Sequence, residues 1–179
     1  MSSQKRSATI RPLLPTDFDQ RFEVVFGLIA FAINRHLMDH MRRIAVELEM
    51  DMDTAYVWGT LAHLNVAPAL PLGADPSDVL NGQGLLKSAL RPVRLADVAD
   101  VTRLPRETVR RKLEHLRERG KAKRTATGAW QYAAAGVDAD TRAFTRETVV
   151  RLFRTAEVVL ALLDQAELRS DRDTASTPR

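Results

Sequence analysis

The chain has 179 residues, 45% of them apolar and only 6% aromatic, with no cysteine. That length suits one domain or two small ones, and the missing cysteines exclude a disulfide framework, a thiolate metal site and a cysteine nucleophile. The net charge of +4 is unevenly placed: Arg91 to Arg124 holds 12 Lys/Arg against 5 Asp/Glu, while the remainder is net −3. Positive charge gathered in one segment of an otherwise acidic chain is the footprint of a phosphate-binding surface.

Residues 1–15 read as a flexible arm, polar and broken by Pro12 and Pro15, with no secretory leader. From Phe18 to about Leu48 the pattern is helical. Phe18, Phe22, Val25, Phe26, Ile29 and Ile33 form one apolar stripe, and Leu28, Phe31 and Ala32 widen it beyond what a surface helix needs. A helix apolar on several faces must be covered twice, by its own domain and by a partner copy. Asn34-Arg35-His36 marks an expected bend. Met38 and Met41 continue the apolar side, and with Met50 and Met52 they read as core filler rather than an oxidation sensor. The ten-residue run Val24 to Ile33 is too short to cross a bilayer, so no membrane partner is expected. Asp53 is placed to cap a helix from Thr54 to about Asn65.

Residues 68–84 form a connector that carries Pro68, Pro71 and Pro76 together with Gly73, Gly82 and Gly84, and a short helix is expected near Ser77 to Leu80. The head is expected over residues 85–135. Leu85 to Leu90 is read as its first helix and Pro92-Val93-Arg94 as a short extended piece. Leu95 to Val101 is a short amphipathic helix. A longer one follows the turn, with Val109, Leu113 and Leu116 on one stripe and arginines on the other sides. Gly120 suits a helix C-terminus. Lys121–Thr125 and Ala129–Ala133 read as a hairpin turning at Thr127-Gly128. A last helix is expected over 138–168, where Val149, Phe153, Ala156, Leu160 and Leu163 form a seam for helix pairing, and residues 169–179 are read as a disordered tail.

The segment LADVADVTRLPRETVRRKLEHLRERG, about 40 residues with its hairpin, resembles the reading head of bacterial winged helix-turn-helix transcription regulators. The string Arg106-Glu107-Thr108-Val109-Arg110-Arg111 is similar to the R-E-T-V-x-R of the Crp/Fnr class, and the long flanking helices loosely resemble the dimer scaffold of MarR-like regulators. The resemblance implies a mainly α protein: a winged helix-turn-helix with a small β-hairpin wing, and N- and C-terminal helices (residues 16–67 and 138–168) forming a dimer scaffold. It implies base readout by Arg106, Glu107, Arg110 and Arg111, and backbone contacts by Thr108, Arg117, Lys121, Lys123 and Arg124. The expected dimer interface is Phe22, Phe26, Ile29, Ile33, Phe153, Leu160 and Leu163. Three positions depart from the pattern. Arg103 stands where the turn usually has glycine, Pro105 replaces a Ser/Thr cap, and Lys121-Ala122 replace aliphatics at the wing base.

The implied function is a cytoplasmic, homodimeric regulator whose partners are double-stranded DNA and itself. The alternatives are a winged-helix interaction module without DNA binding, or a plasmid or phage replication or partition protein. A small-molecule effector is a further candidate partner, with Tyr56 and Trp58 able to line its pocket or simply to fill core. His36 and His40 have metal-ligand spacing but no third ligand, so no metal is read there. No phosphate loop or nucleophile elbow is present, and neither an enzyme nor a cofactor is expected.

Overall fold

A computed structural model describes residues 14–70, 75–82, 84, 90–133 and 137–175, with side chains followed to residue 166 in the last helix. The chain is mainly helical with a small two-stranded antiparallel sheet. It divides into two compact units, Met1–Met38 with Val150–Arg179, and Asp39–Val149. Two long helices, α1 (Phe18–Glu47) and α6 (Ala139–Ala175), contribute residues to both.

In the second unit, α2 (Met52–Val66), α4 (Leu95–Thr102) and α5 (Arg106–Glu118) enclose a core with β1 (Ala122–Arg124) and β2 (Trp130–Tyr132). Val57, Leu61, Val98, Val109, Leu113 and Leu116 are fully buried in it, with Trp130 and Ala122 sealing the hairpin side. The apolar stripe expected on the basic helix is therefore the one that is buried.

The sequence grouped α2 with an N-terminal region ending at 67. In the structure it packs on α4, α5 and β2 and belongs to the same core. Periodicity shows which face of a helix is buried, and it leaves open which core that face enters. The expected helix at Leu85–Leu90 lies outside the described residues except for Leu90. A 3₁₀ turn (Ala67–Ala69) and the four-residue α3 (Pro76–Val79) occupy the connector, α3 close to where a short helix was expected. Asp51, not Asp53, caps α2: its carboxylate accepts from Thr54 N (2.9 Å) and Thr54 Oγ1 (2.7 Å).

Asn65, at the end of α2, is fully buried. Its amide donates to the Arg91 carbonyl (2.7 Å) and the Trp130 carbonyl (3.3 Å), and its Oδ1 accepts from Tyr132 N (2.7 Å). One side chain thus ties α2 to the segment before α4 and to the hairpin. Val93 pairs with Trp130 through both backbone bonds (3.0 and 2.7 Å), so the expected extended piece forms a third rung on the sheet. Arg43 is also fully buried. It makes two 2.8 Å bonds to Glu47, donates to the Phe144 carbonyl (3.1 Å) and Thr148 Oγ1 (3.2 Å), and lies 4.6 Å from the Phe144 ring centre. A buried guanidinium needs this many acceptors to replace its hydration.

The other unit has a smaller core of Val25, Ile29, Leu163 and Ala166, flanked by Phe18, Phe22, Val159 and Leu162. α1 continues as one helix through Asn34–His36, where a bend was expected. The His36 ring nitrogen lies 3.1 Å from Thr155 Oγ1. α6 runs to Ala175, past the expected end at Leu168 and into the polar tail read as disordered. No helix of the described residues is long and apolar enough to cross a membrane.

Candidate nucleic-acid interface

The site is built by α4, a short turn, α5 and the β1–β2 hairpin. α4 ends at Arg103, which adopts φ +60°, ψ 14°, while its backbone N–H bonds Ala99 O at 2.9 Å. The left-handed residue closing this turn, where a glycine was expected, is an arginine. The reversal buries Val98 and Ala99 of α4 against Val109 and Leu113 of α5. Pro105 precedes α5 with φ −55°, and no side chain caps the helix there. α5 ends through Gly120 at φ +68°, with Lys121 N bonding Leu116 O (2.8 Å) and Gly120 N bonding Arg117 O (3.0 Å). This paired closure puts position 120 in the left-handed region, where glycine is favoured because it has no Cβ. It also sets the direction in which the hairpin leaves the helix.

The hairpin register is Ala122↔Tyr132, Lys123↔Gln131, Arg124↔Trp130. Its ladder extends to Ala133 N on Lys121 O (3.0 Å) and Thr125 N on Ala129 O (2.8 Å), matching the two expected strands, and Gly128 turns at φ +83°.

Of the expected base readers, Arg106, Glu107, Arg110 and Arg111 are all exposed on α5. Glu107 and Arg110 engage each other, Nε to Oε2 at 2.8 Å and Nη2 to Oε1 at 2.5 Å. The Arg110 hydrogen bond holds the Glu107 carboxyl below its usual range. Arg117 is likewise occupied by Glu114 (2.6 Å). Arg106 and Arg111 make no hydrogen bond or ion pair among the described residues. Thr108 is half-buried. Lys123 is exposed, and Arg124 is exposed with its Nε 3.3 Å from Gly128 O.

Lys121 must be removed from the expected backbone contacts. It is 7% exposed, its ammonium pairs with Asp138 (3.1 Å) and Thr141 Oγ1 (3.3 Å), and it lies 5.0 Å from the Trp58 ring centre. The aliphatic stem substitutes for the aliphatic residue expected at the wing base, and the charge is neutralised inside the fold. Asp138 also accepts from Thr141 N (2.8 Å) at the start of α6.

The basic segment therefore uses much of its charge internally. Arg94 pairs with Asp97 (2.8 Å), Lys112 with Asp51 (2.8 Å), and Arg119 donates to the Leu48 and Glu49 carbonyls (3.1 and 2.9 Å). Arg91, Arg103, Arg106, Arg111 and Lys123 are the cations of this segment whose side chains make no hydrogen bond or ion pair among the described residues. Charge counting alone had not separated these five from the rest.

Compared with known protein families, curated proteins and solved structures, the chain matches none.

The expected dimer residues divide. Ile29 and Leu163 are 5% and 1% exposed, packed inside their own chain, and are withdrawn from the interface; Phe22 and Leu160 are half-buried. Phe26, Ile33 and Phe153 are exposed, joined on α1 by Val24, Leu28, Phe31, Leu37 and Met38. Met38 and Met41 are exposed and are not core filler, whereas Met50 is buried in the core and Met52 is half-buried. Tyr56 is exposed, with its hydroxyl 3.4 Å from Val101 O, and Trp58 lies beneath Lys121. Neither lines the cavity of about 230 Å³ formed by Leu64, Ala67, Pro68, Arg91, Pro92, Val93 and Asp97. That space is smaller than the usual small-molecule site. His40 packs on the Phe144 ring (5.6 Å), and no group of three His, Cys, Asp or Glu side chains among the described residues could hold a metal ion.

Proposed function

We propose that the chain is a sequence-specific DNA-binding transcription regulator of winged helix-turn-helix architecture. α5 enters the major groove, and the hairpin lies on the flanking backbone. The observation that carries this reading is the exposed face of α5, where Arg106 and Arg111 stand unpaired. α4 and the core fix that helix from behind. An unpaired arginine can bond guanine O6 and N7 together, and Glu107 can accept from a cytosine amino group once Arg110 turns to phosphate. Lys123 and Arg124 on the hairpin supply charge to the sugar-phosphate backbone. Support also comes from the order of elements: α2, the Val93 rung, α4, α5 and the hairpin share one core, the arrangement in which a helix-turn-helix presents its second helix.

The regulator works as a homodimer joined through the outer face of α1. Its exposed apolar side chains from Val24 to Met38, Phe31 the most exposed of them, form the kind of uncovered apolar surface that marks an association site. A two-fold dimer places two copies of α5 for two half-sites.

Fluorescence anisotropy with random and selected duplexes over a salt series tests the DNA reading. Affinity is expected to fall steeply with rising salt. Arg106→Ala and Arg111→Ala should each reduce discrimination at one base position by about 1–3 kcal/mol, whereas Lys123→Ala should weaken every sequence alike. Absent or salt-independent binding by the wild type would sink the proposal.

A further inference from the structure

We infer that Arg103 binds a DNA phosphate, an anchoring contact at the turn before α5 that the sequence pattern does not mark. The inference rests on the DNA-binding reading above. Its ground is a mismatch between what the fold needs at this position and what stands there. The turn needs a left-handed residue: at φ +60° the Arg103 N–H closes α4 on Ala99 O, and the chain reverses into α5. Glycine adopts that conformation without steric cost, while any Cβ crowds the adjoining carbonyl. The fold thus accounts for the backbone at position 103 and gives no reason for the side chain.

Glu49 makes the contrast. It too is left-handed, at φ +51°, but its carbonyl accepts from Arg119 (2.9 Å) and its carboxylate lies 3.9 Å from the same guanidinium. The Arg103 side chain is exposed and makes no hydrogen bond or ion pair among the described residues. Its neighbours Arg94, Arg110, Lys112, Arg117 and Arg119 all engage acceptors within the chain. A strained residue whose side chain serves nothing inside the protein indicates a use outside it.

The chemistry of that use follows from position. Arg103 lies three residues before the first residue of α5, outside the helix that carries Arg106 and Arg111. When those two side chains reach base edges, a guanidinium on the turn is placed beside the strand that borders the groove. There its planar fork matches two phosphate oxygens.

Arg103→Gly separates this role from structure, because its two effects run in opposite directions. Relief of the left-handed strain should raise the melting temperature by ~2–4 °C. Loss of the phosphate contact should weaken binding roughly three- to tenfold for every sequence, and reduce the slope of log affinity against log salt by about 1. Arg103→Lys should keep most of the salt slope. If the wild type binds with a steep salt slope and Arg103→Gly leaves that slope unchanged, the phosphate role is overturned while the DNA reading stands. Loss restricted to particular sequences would overturn it in favour of base contact. A wild type without salt-dependent binding defeats both.

Discussion

In the unit of residues 39–149, apolar side chains close around each other and the buried polar side chains mostly find partners, the Trp58 indole N–H being the exception among the described residues. Asn65 makes three hydrogen bonds, Arg43 bonds Glu47, Phe144 and Thr148, and Lys121 meets Asp138. The unit of residues 1–38 with 150–179 is the opposite case. Its core rests on Val25, Ile29, Leu163 and Ala166, while Phe31 and Phe153 both stay 66% exposed. The first unit bonds most of its buried polar groups and leaves only scattered apolar side chains such as Val46 and Val101 exposed, while the second exposes a dense set from Val24 to Met38 together with Leu152 and Phe153. On the function proposed above, this difference corresponds to a head held from inside and a scaffold completed by association.

The comparison breaks first at Asn65. Asn65→Ala leaves Tyr132 N–H and two carbonyls without their partner, and should cost about 3 kcal/mol in a urea melt, close to a sum of ordinary buried hydrogen bonds. A loss below about 1 kcal/mol would mean that backbone pairing alone holds the hairpin and that the head is less dependent on internal polar bonding than described.

A smaller effect is expected in the scaffold. Phe31→Glu places a charge on the outer face of α1, so light scattering at micromolar concentration should report half the wild-type mass. The concentration dependence of the melting midpoint should disappear with it. A wild-type monomer, or a variant of unchanged mass, would remove the contrast between the two units.

The smallest effect sharpens the account of the head. Hydrogen bonds from Thr141, with the Lys121 bond added, lower the Asp138 carboxyl from 3.8 to about 2. A depressed native value means that the unfolded chain takes up the proton first. The contribution is complete above about pH 4 and is lost as pH falls toward 2. Asp138→Asn should therefore be less stable than the wild type near neutrality and approach it in acid. A constant gap across pH 2–6 in chemical melts would assign the effect of the substitution to something other than this titration.

Much of the head was legible before any coordinates. The stripe Val109, Leu113, Leu116 specified the buried side of α5. Gly120 and Gly128 specified the two reversals, and alternation through Trp130, Gln131 and Tyr132 specified the second strand. These are local signals, carried by periods of 3.6 and 2 and by residues that tolerate positive φ. Asn65 gave no such signal, because a polar residue at a helix end looks the same whether it faces water or bonds three distant backbone groups. Lys121 misled for a related reason: a lysine in a basic run looks like surface until Asp138, 17 residues away, is found beside it.

The sequence by itself determined most of the helical segments, the turns at Gly120 and Gly128 and where positive charge is concentrated, since each depends on neighbours a few residues away. It did not determine them all: α1 continues through the expected bend and α6 into the expected disordered tail. Tertiary structure alone decided that α2 belongs to the head, that Ile29 and Leu163 are used up inside one chain, and that Arg103, Arg106 and Arg111 remain unpaired. The physical reason is common to all three. Which apolar face is covered, and which charge is neutralised, depends on groups brought together by the fold, and spacing along the chain holds no record of them.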